Sequence, residues 1–439
     1  MTSSSPPGLV RRLGTGDAVV IGLSSMIGAG VFVVFGPAAR AAGTGLLAGL
    51  VIAAMIAYCN ATASAQLAAC SPTSGGTYIY GRERLGSWLG FTAGWGFLTG
   101  KTASCAAMAL TFATYAVAGP WWAQRLVAVA GVLGLTALNY RGVTKTAIAA
   151  RVLVGATLAV LVVVVAGIAV AGGLRVDYLS GLVTNSRGGL YGTLQAAGLL
   201  FFAFAGYARI ATIGEEVRDP ERTIPRAIPI ALIITLVIYF VVGMAALLTT
   251  GPDRLANAAA PLTEAVNVAG AGSLAPVVRV GAAVASLGAL LSLIAGVGRT
   301  SLAMARHHDL PSWLAAVHPR FRVPHHAEAA LAVLVSALVL MADLRGVIGF
   351  SSVGVLVYYA IANAAALTQP ADQRRWPRAL HILGIGGCAA LIGALPTTGL
   401  LAGLAVFTVG LAGRQLTAAR PNKASRSRFR CPRRQKMSP

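Results

Sequence analysis

Twelve apolar runs of 17 to 31 residues fill most of this chain, near 17–37, 44–69, 88–118, 122–140, 147–172, 191–213, 226–250, 277–304, 328–344, 346–368, 379–395 and 398–414. A helix needs about 20 mostly apolar residues to cross a bilayer, and these runs reach or approach that length. They are apolar on all sides, whereas a transmembrane barrel strand alternates apolar and polar residues. Only 11% of the residues are charged, against about 25% in a soluble domain. The fold class expected is an all-α integral membrane protein of about 12 transmembrane helices.

The formal net charge of +22 raises the question of a nucleic-acid partner, and its placement answers it. With twelve spans and the N-terminus inside, 26 of the 35 Lys and Arg fall on the cytoplasmic side, nine of them between Arg414 and Lys436. Seven fall outside: Arg40, Arg125, Arg175, Arg187, Arg254, Arg279 and Arg345. This is the asymmetry of the positive-inside rule; it is topology, and no nucleic acid is implied. Both termini are expected in the cytoplasm, with no cleaved signal peptide, since the first apolar run leads into further spans. Residues 415–439 contain no acid and read as a basic, disordered tail within reach of anionic lipid head groups.

The cysteines Cys59, Cys70, Cys105, Cys388 and Cys431 lack metal-ligand spacing and read as reduced and structural. His307, His308, His318, His325 and His326 share one loop, without the Cys or carboxylate partners of a zinc site. No metal or cofactor is implied. The spans hold no paired carboxylates and no nucleophile–base pattern, which argues against an enzyme.

Two places in the spans look built to unwind. In Gly22-Leu-Ser-Ser-Met-Ile-Gly-Ala-Gly-Val-Phe32, glycines at 28 and 30 weaken the middle of the first span. In Phe201-Phe-Ala-Phe-Ala-Gly-Tyr207 a glycine sits among aromatics in the sixth, ahead of Glu215 and Glu216. A break frees backbone N–H and C=O groups, which lipid cannot satisfy. An amino acid can: its carboxylate suits N–H groups at a half-helix N-terminus and its ammonium suits freed carbonyls. Close Gly/Ala packing between helices explains the glycines equally well. The offset of five spans, however, is that of an inverted five-helix repeat.

The chain resembles the amino acid–polyamine–organocation permease superfamily and its bacterial amino acid transporters. Ser25-Met-Ile-Gly-Ala-Gly-Val-Phe32 looks like the superfamily's first-span signature. Pro72-Thr-Ser-Gly-Gly-Thr-Tyr-Ile-Tyr80 with Arg82, Glu83 and Gly86 resembles the stretch after span two. Gly214-Glu-Glu-Val-Arg-Asp-Pro-Glu-Arg-Thr-Ile-Pro-Arg226 resembles the exit of span six, and Met304-Ala-Arg306, Asp309-Leu-Pro311 and Val317-His-Pro-Arg-Phe321 the loop after span eight. The resemblance covers about residues 14 to 370 and implies a LeuT-like 5+5 inverted repeat with broken helices 1 and 6, plus two extra C-terminal helices. The expected division is a cytoplasmic segment 1–16, a ten-helix core 17–368 (repeats 17–172 and 191–368), helices 11 and 12 over 379–414, and the tail.

The resemblance also implies a substrate site between spans one and six, with help from spans three, eight and ten. Main-chain contacts to the substrate carboxylate are implied near Ser25, Ile27, Gly28, Ala29 and Gly30. Contacts to the amino group and side chain are implied near Phe202, Ala203, Phe204, Ala205 and Gly206. Tyr78, Glu215 and Glu216 are gating or structural candidates. The implied activity is secondary transport of amino acids by alternating access.

Lys101, in Gly96-Phe-Leu-Thr-Gly-Lys-Thr-Ala-Ser104, lies about halfway along the third span with no acid near it in sequence. Ionisable residues inside a membrane are functional by default, although a lysine can also snorkel to the interface. Lys101 is the candidate for proton coupling. Related proton-coupled permeases carry a lysine in span five, where this chain has Thr157, so that role is not carried over from the resemblance. A sodium site built on Ser286, Ser292 or Thr157, and amino acid exchange, both stay open. The scarcity of intramembrane carboxylates favours neutral amino acids over polyamines; cationic amino acids and a non-transporting amino acid sensor remain as alternatives.

Overall fold

The computed structural model describes residues 13–70, 75–141, 146–179, 187–207, 210 and 217–418, and among these the regular structure is helical apart from one isolated bridge between Leu13 and Val217. In chain order the helices are α1 (Thr15–Met26), α2 (Gly30–Val33), α3 (Phe35–Ala42), α4 (Leu46–Cys70), α5 (Gly76–Leu85), α6 (Ser87–Ala116), α7 (Trp121–Tyr140), α8 (Thr146–Ala171) and α9 (Gly189–Phe204). They continue as α10 (Pro220–Asn257), α11 (Pro261–Val268), α12 (Ala275–Arg306), α13 (His325–Met341), α14 (Leu344–Leu367), α15 (Arg378–Ala394) and α16 (Thr397–Ala418). Each of the twelve apolar runs carries helix in its described residues, the sixth only as far as Phe204. Among the described residues eight stretches are long and apolar enough to cross a membrane; α9, α13 and α15 are shorter apolar helices. α6 has the length but carries Lys101 and several hydroxyls.

The helix ends follow local chemistry. The Asp343 carboxylate accepts the Gly346 N–H at 3.1 Å and caps α14. Asp17 in the first turn of α1 accepts the Gly14 N–H at 3.1 Å. α10 begins at Pro220, where a missing N–H costs nothing. It therefore starts six residues before the apolar run at 226–250 that marks it in the sequence.

α6 is the axis of the bundle. It packs most extensively on α14 and α12, while α1 packs on α10 and α8. The α6–α14 contact is backbone on backbone: a Cβ on Gly354 would lie 2.6 Å from the Gly96 carbonyl oxygen. Small residues allow such an approach, and membrane helices associate largely through van der Waals contact and interhelical hydrogen bonds. The Ser104 and Ser351 hydroxyls meet across this seam at 2.7 Å. The outer faces of α7, α8 and α16 expose Leu126, Leu133, Val162, Val170, Leu401 and Val409, a greasy surface that water would not tolerate and lipid does.

At the Arg-rich end of the bundle, Asp309 after α12 gathers three elements. Its carboxylate accepts the Tyr78 hydroxyl at 2.7 Å, Arg82 of α5 at 2.9 Å and Arg414 of α16 at 2.8 Å. Arg414 also lies over the rings of Trp88 and Phe91. Burial and the neighbouring carboxylate push the Tyr78 phenol well above its ordinary range, so it stays a donor. The Asp309 side chain is only 7% exposed; removing it leaves two guanidinium groups without their shared acceptor. Asp309→Ala is expected to cost on the order of 2–3 kcal/mol, measured as a lower melting temperature of the detergent-solubilised protein.

Candidate functional site

The first span is discontinuous. α1 ends at Met26, Ile27 leaves the helical region (φ −82°, ψ 67°), and α2 starts at Gly30. In the sixth span α9 ends at Phe204 and Ala205–Tyr207 form a turn; Glu215 and Glu216 lie outside the described residues. The two interruptions sit side by side. A Cβ on Gly206 would come within 2.2 Å of the Ser25 carbonyl oxygen, and one on Gly30 within 2.9 Å of the Ala203 Cβ. Only glycine permits these approaches.

Three side chains satisfy the carbonyls that the breaks release. The Tyr239 hydroxyl of α10 donates at 2.5 Å to the Met26 carbonyl, with the Ala203 carbonyl at 3.2 Å. The Ala205 carbonyl accepts the Lys101 ammonium at 3.1 Å and the Tyr359 hydroxyl at 3.2 Å. Tyr359 in turn stacks on Tyr207 at 5.0 Å. Lys101 is 6% exposed. It does not snorkel; it is held across the bundle to the end of α9.

Between the breaks lies a cavity of about 900 Å³ including its open mouth. Ser25, Gly28 and Gly30 line it from the first span, Phe202, Ala203, Ala205 and Gly206 from the sixth. α6 adds Phe97, Lys101, Ser104 and Met108, and α12 adds residues from Ala289 to Thr300, including Arg299. Arg299 and Thr300 line it near the C-terminal end of α12. Outside this lining, Tyr115 near the end of α6 packs edge-on against Phe32, donates to its carbonyl at 2.8 Å, and has its own carbonyl held by Arg279 at 3.0 Å.

The remaining candidates lie around this cavity. Ile27 lines a smaller neighbouring cavity with Ser24, Thr157 and Ser292. Ala29 is buried at the start of α2. Phe204 turns away to pack on Tyr239, ring centres 5.2 Å apart. Tyr78 stands at the Asp309 cluster. The Thr157 and Ser286 hydroxyls are bonded to the carbonyls one turn earlier, at 2.8 and 2.6 Å. Among the described residues no three His, Cys, Asp or Glu are placed to hold a metal. His318 and His325 instead pack around Tyr140. No disulfide joins the described cysteines.

Sequence reading did not single out Tyr239, Tyr359, Phe97, Met108 or Arg299. They come from helices far apart in the chain, with no local motif. A tyrosine inside an apolar run was the one available signal, because a buried phenol needs a partner.

Apolar helices that cross a membrane repeatedly, with two breaks facing a buried cavity, define a multi-pass membrane transporter. A sequence model of the amino acid permease family matches residues 13–419, and the chain belongs to that family. It is similar to an uncharacterized transporter of Mycobacterium tuberculosis, 59% identical over 411 residues that cover 93% of this chain and 91% of that one. It is also similar to a branched-chain amino acid permease of Bacillus subtilis, 25% identical over 407 residues, 87% of this chain and 86% of the other. A chloroplastic cationic amino acid transporter of Arabidopsis thaliana is 28% identical over 380 residues, 81% of this chain and 65% of the other. These relatives are transporters and permeases; the chain is a transporter and not an enzyme.

The facing breaks make two substitutions informative. Gly206→Ala is expected to cost about 1–3 kcal/mol by overpacking, and Tyr239→Phe a similar amount by leaving a buried carbonyl without its donor. Gly16→Ala, where an added Cβ meets nothing within 4 Å, should melt like the parent. Thermal unfolding in detergent checks all three.

Proposed function

We propose that this protein is a secondary active transporter that moves amino acids across the plasma membrane by alternating access, with proton symport. The observation that carries the reading is the cavity between the paired breaks, with Lys101 bonded to the carbonyl that the second break frees. In this reading the chain has twelve transmembrane helices: a ten-helix core over 17–368 in a LeuT-like 5+5 inverted repeat, then two more over 379–414. The side-by-side breaks and their offset of five spans support the repeat. Both termini lie in the cytoplasm, supported by the excess of Lys and Arg on that side. The Arg299 end of the cavity then faces inward and the Tyr115–Phe32–Arg279 cluster closes the outside.

The substrate carboxylate is received by the N–H groups at Ala29 and Gly30, where α2 begins; the Gly28 N–H beside them donates to the Met26 carbonyl at 2.9 Å. Its amino group faces the carbonyl-rich end of α9. Lys101 is the coupling residue: a charged lysine at mid-membrane costs about 2.5–3.5 kcal/mol, and gaining or losing its proton changes how firmly it holds the Ala205 carbonyl. A proton taken up there links the gradient to the break that shapes the site.

Uptake of labelled amino acids into proteoliposomes, with and without an inward proton gradient, tests this. Gradient-driven accumulation is expected, and Lys101→Met should abolish the response to the gradient. Uptake only against an internal amino acid would make the protein an exchanger. No uptake of any amino acid by folded protein would overturn the proposal.

A further inference from the structure

The names of the relatives point to both branched-chain and cationic substrates. The charges at this cavity point elsewhere. Its lining holds two basic residues, Lys101 and Arg299, and no carboxylate among the described residues. Arg299 has an acid in electrostatic reach, Glu328, which is buried against Gly298 on the far side of α12. Lys101 forms no ion pair among the described residues; its one hydrogen bond goes to a neutral carbonyl. An ammonium has three donors, so two remain for a ligand.

The position of that charge matters as much as its sign. Lys101 is bonded to the Ala205 carbonyl at the end of α9, on the side of the cavity that receives the substrate's amino group. A zwitterion bound with its carboxylate at Ala29 and Gly30 brings its ammonium toward a second ammonium. Like charges at close range in a low-dielectric site repel strongly. A cationic amino acid brings two. An amino acid with a second carboxylate brings attraction to the same place, and supplies a counter-charge that the described residues do not give Lys101.

We propose that the cavity selects amino acids with an anionic side chain, and that Lys101 is the counter-charge of that side-chain carboxylate. The inference rests on the amino acid transport reading above and deepens it. Lys101 acts through charge, so isosteric pairs isolate its effect: glutamate and glutamine, or aspartate and asparagine, differ by one charge at nearly constant shape.

The test is uptake of labelled L-glutamate, L-glutamine, L-aspartate, L-asparagine, L-leucine and L-arginine by the full-length protein in proteoliposomes. Glutamate or aspartate is expected to exceed its amide by roughly a hundredfold, the effect of pairing against leaving a buried charge unpaired. In Lys101→Met the ratio of acid to amide, read by competition for binding as well as by uptake, should fall to about one, while Lys101→Arg keeps the preference for the acid. If Lys101→Met does not fold or does not transport, competition by unlabelled acid and amide against transport by the parent protein and by Lys101→Arg reads the same ratio. Equal or better uptake of glutamine, leucine or arginine overturns this inference and leaves amino acid transport standing. Absence of uptake for every amino acid overturns the transport reading and this inference with it.

Discussion

A peptide group inside a bilayer must find its hydrogen bond within the protein, and this constraint governs the molecule. Most of the chain meets it with uninterrupted helix. Two spans do not, and the protein surrounds their loose ends with donors placed for them. Tyr239 serves Met26 and Ala203; Lys101 and Tyr359 serve Ala205. The breaks lie deep among packed helices, so no lipid reaches the freed groups.

The cavity is a consequence of this solution. Because both interruptions sit against each other, their polar edges converge on one space. Gly30 and Gly206 let the two backbones close to contact, and α6 and α12 supply the walls. The same contacts make the site sensitive to motion. Shifting α1 against α9 would disturb the glycine contact and the Tyr239 bridge together. The Asp309 cluster ties α5 and the end of α16 to the chain that leaves α12.

Much of this was legible in the chain. Each of the twelve apolar runs carries helix in its described residues, because a segment that long and apolar has few other options. Gly28 and Gly30 announced the first break. Phe201-Phe-Ala-Phe-Ala-Gly-Tyr207 announced the second, although the apolar run extends to 213 and gives no endpoint; helix stops at Phe204. Phe202 and Phe204 were indistinguishable in sequence. They lie two residues apart on a helix, so they face different ways, and only Phe202 reaches the cavity. Ser286, Ser292 and Thr157 looked equivalent as oxygen donors. Ser292 and Thr157 share a cavity, whereas Ser286 is fully buried on its own helix.

The sequence by itself determined the class of protein. Long apolar runs and the placement of arginine are properties of composition and order, which no folding detail can reverse. It also determined where the helices weaken, since glycine acts locally. Only the tertiary structure decided what those weak points do. The partners of the freed carbonyls come from α6, α10 and α14, as far as 213 residues away along the chain. Lys101 shows the difference best: its chain neighbours mark it as a lone cation in a span, and only the packing of α6 against the end of α9 gives that cation a carbonyl to hold and a cavity to face.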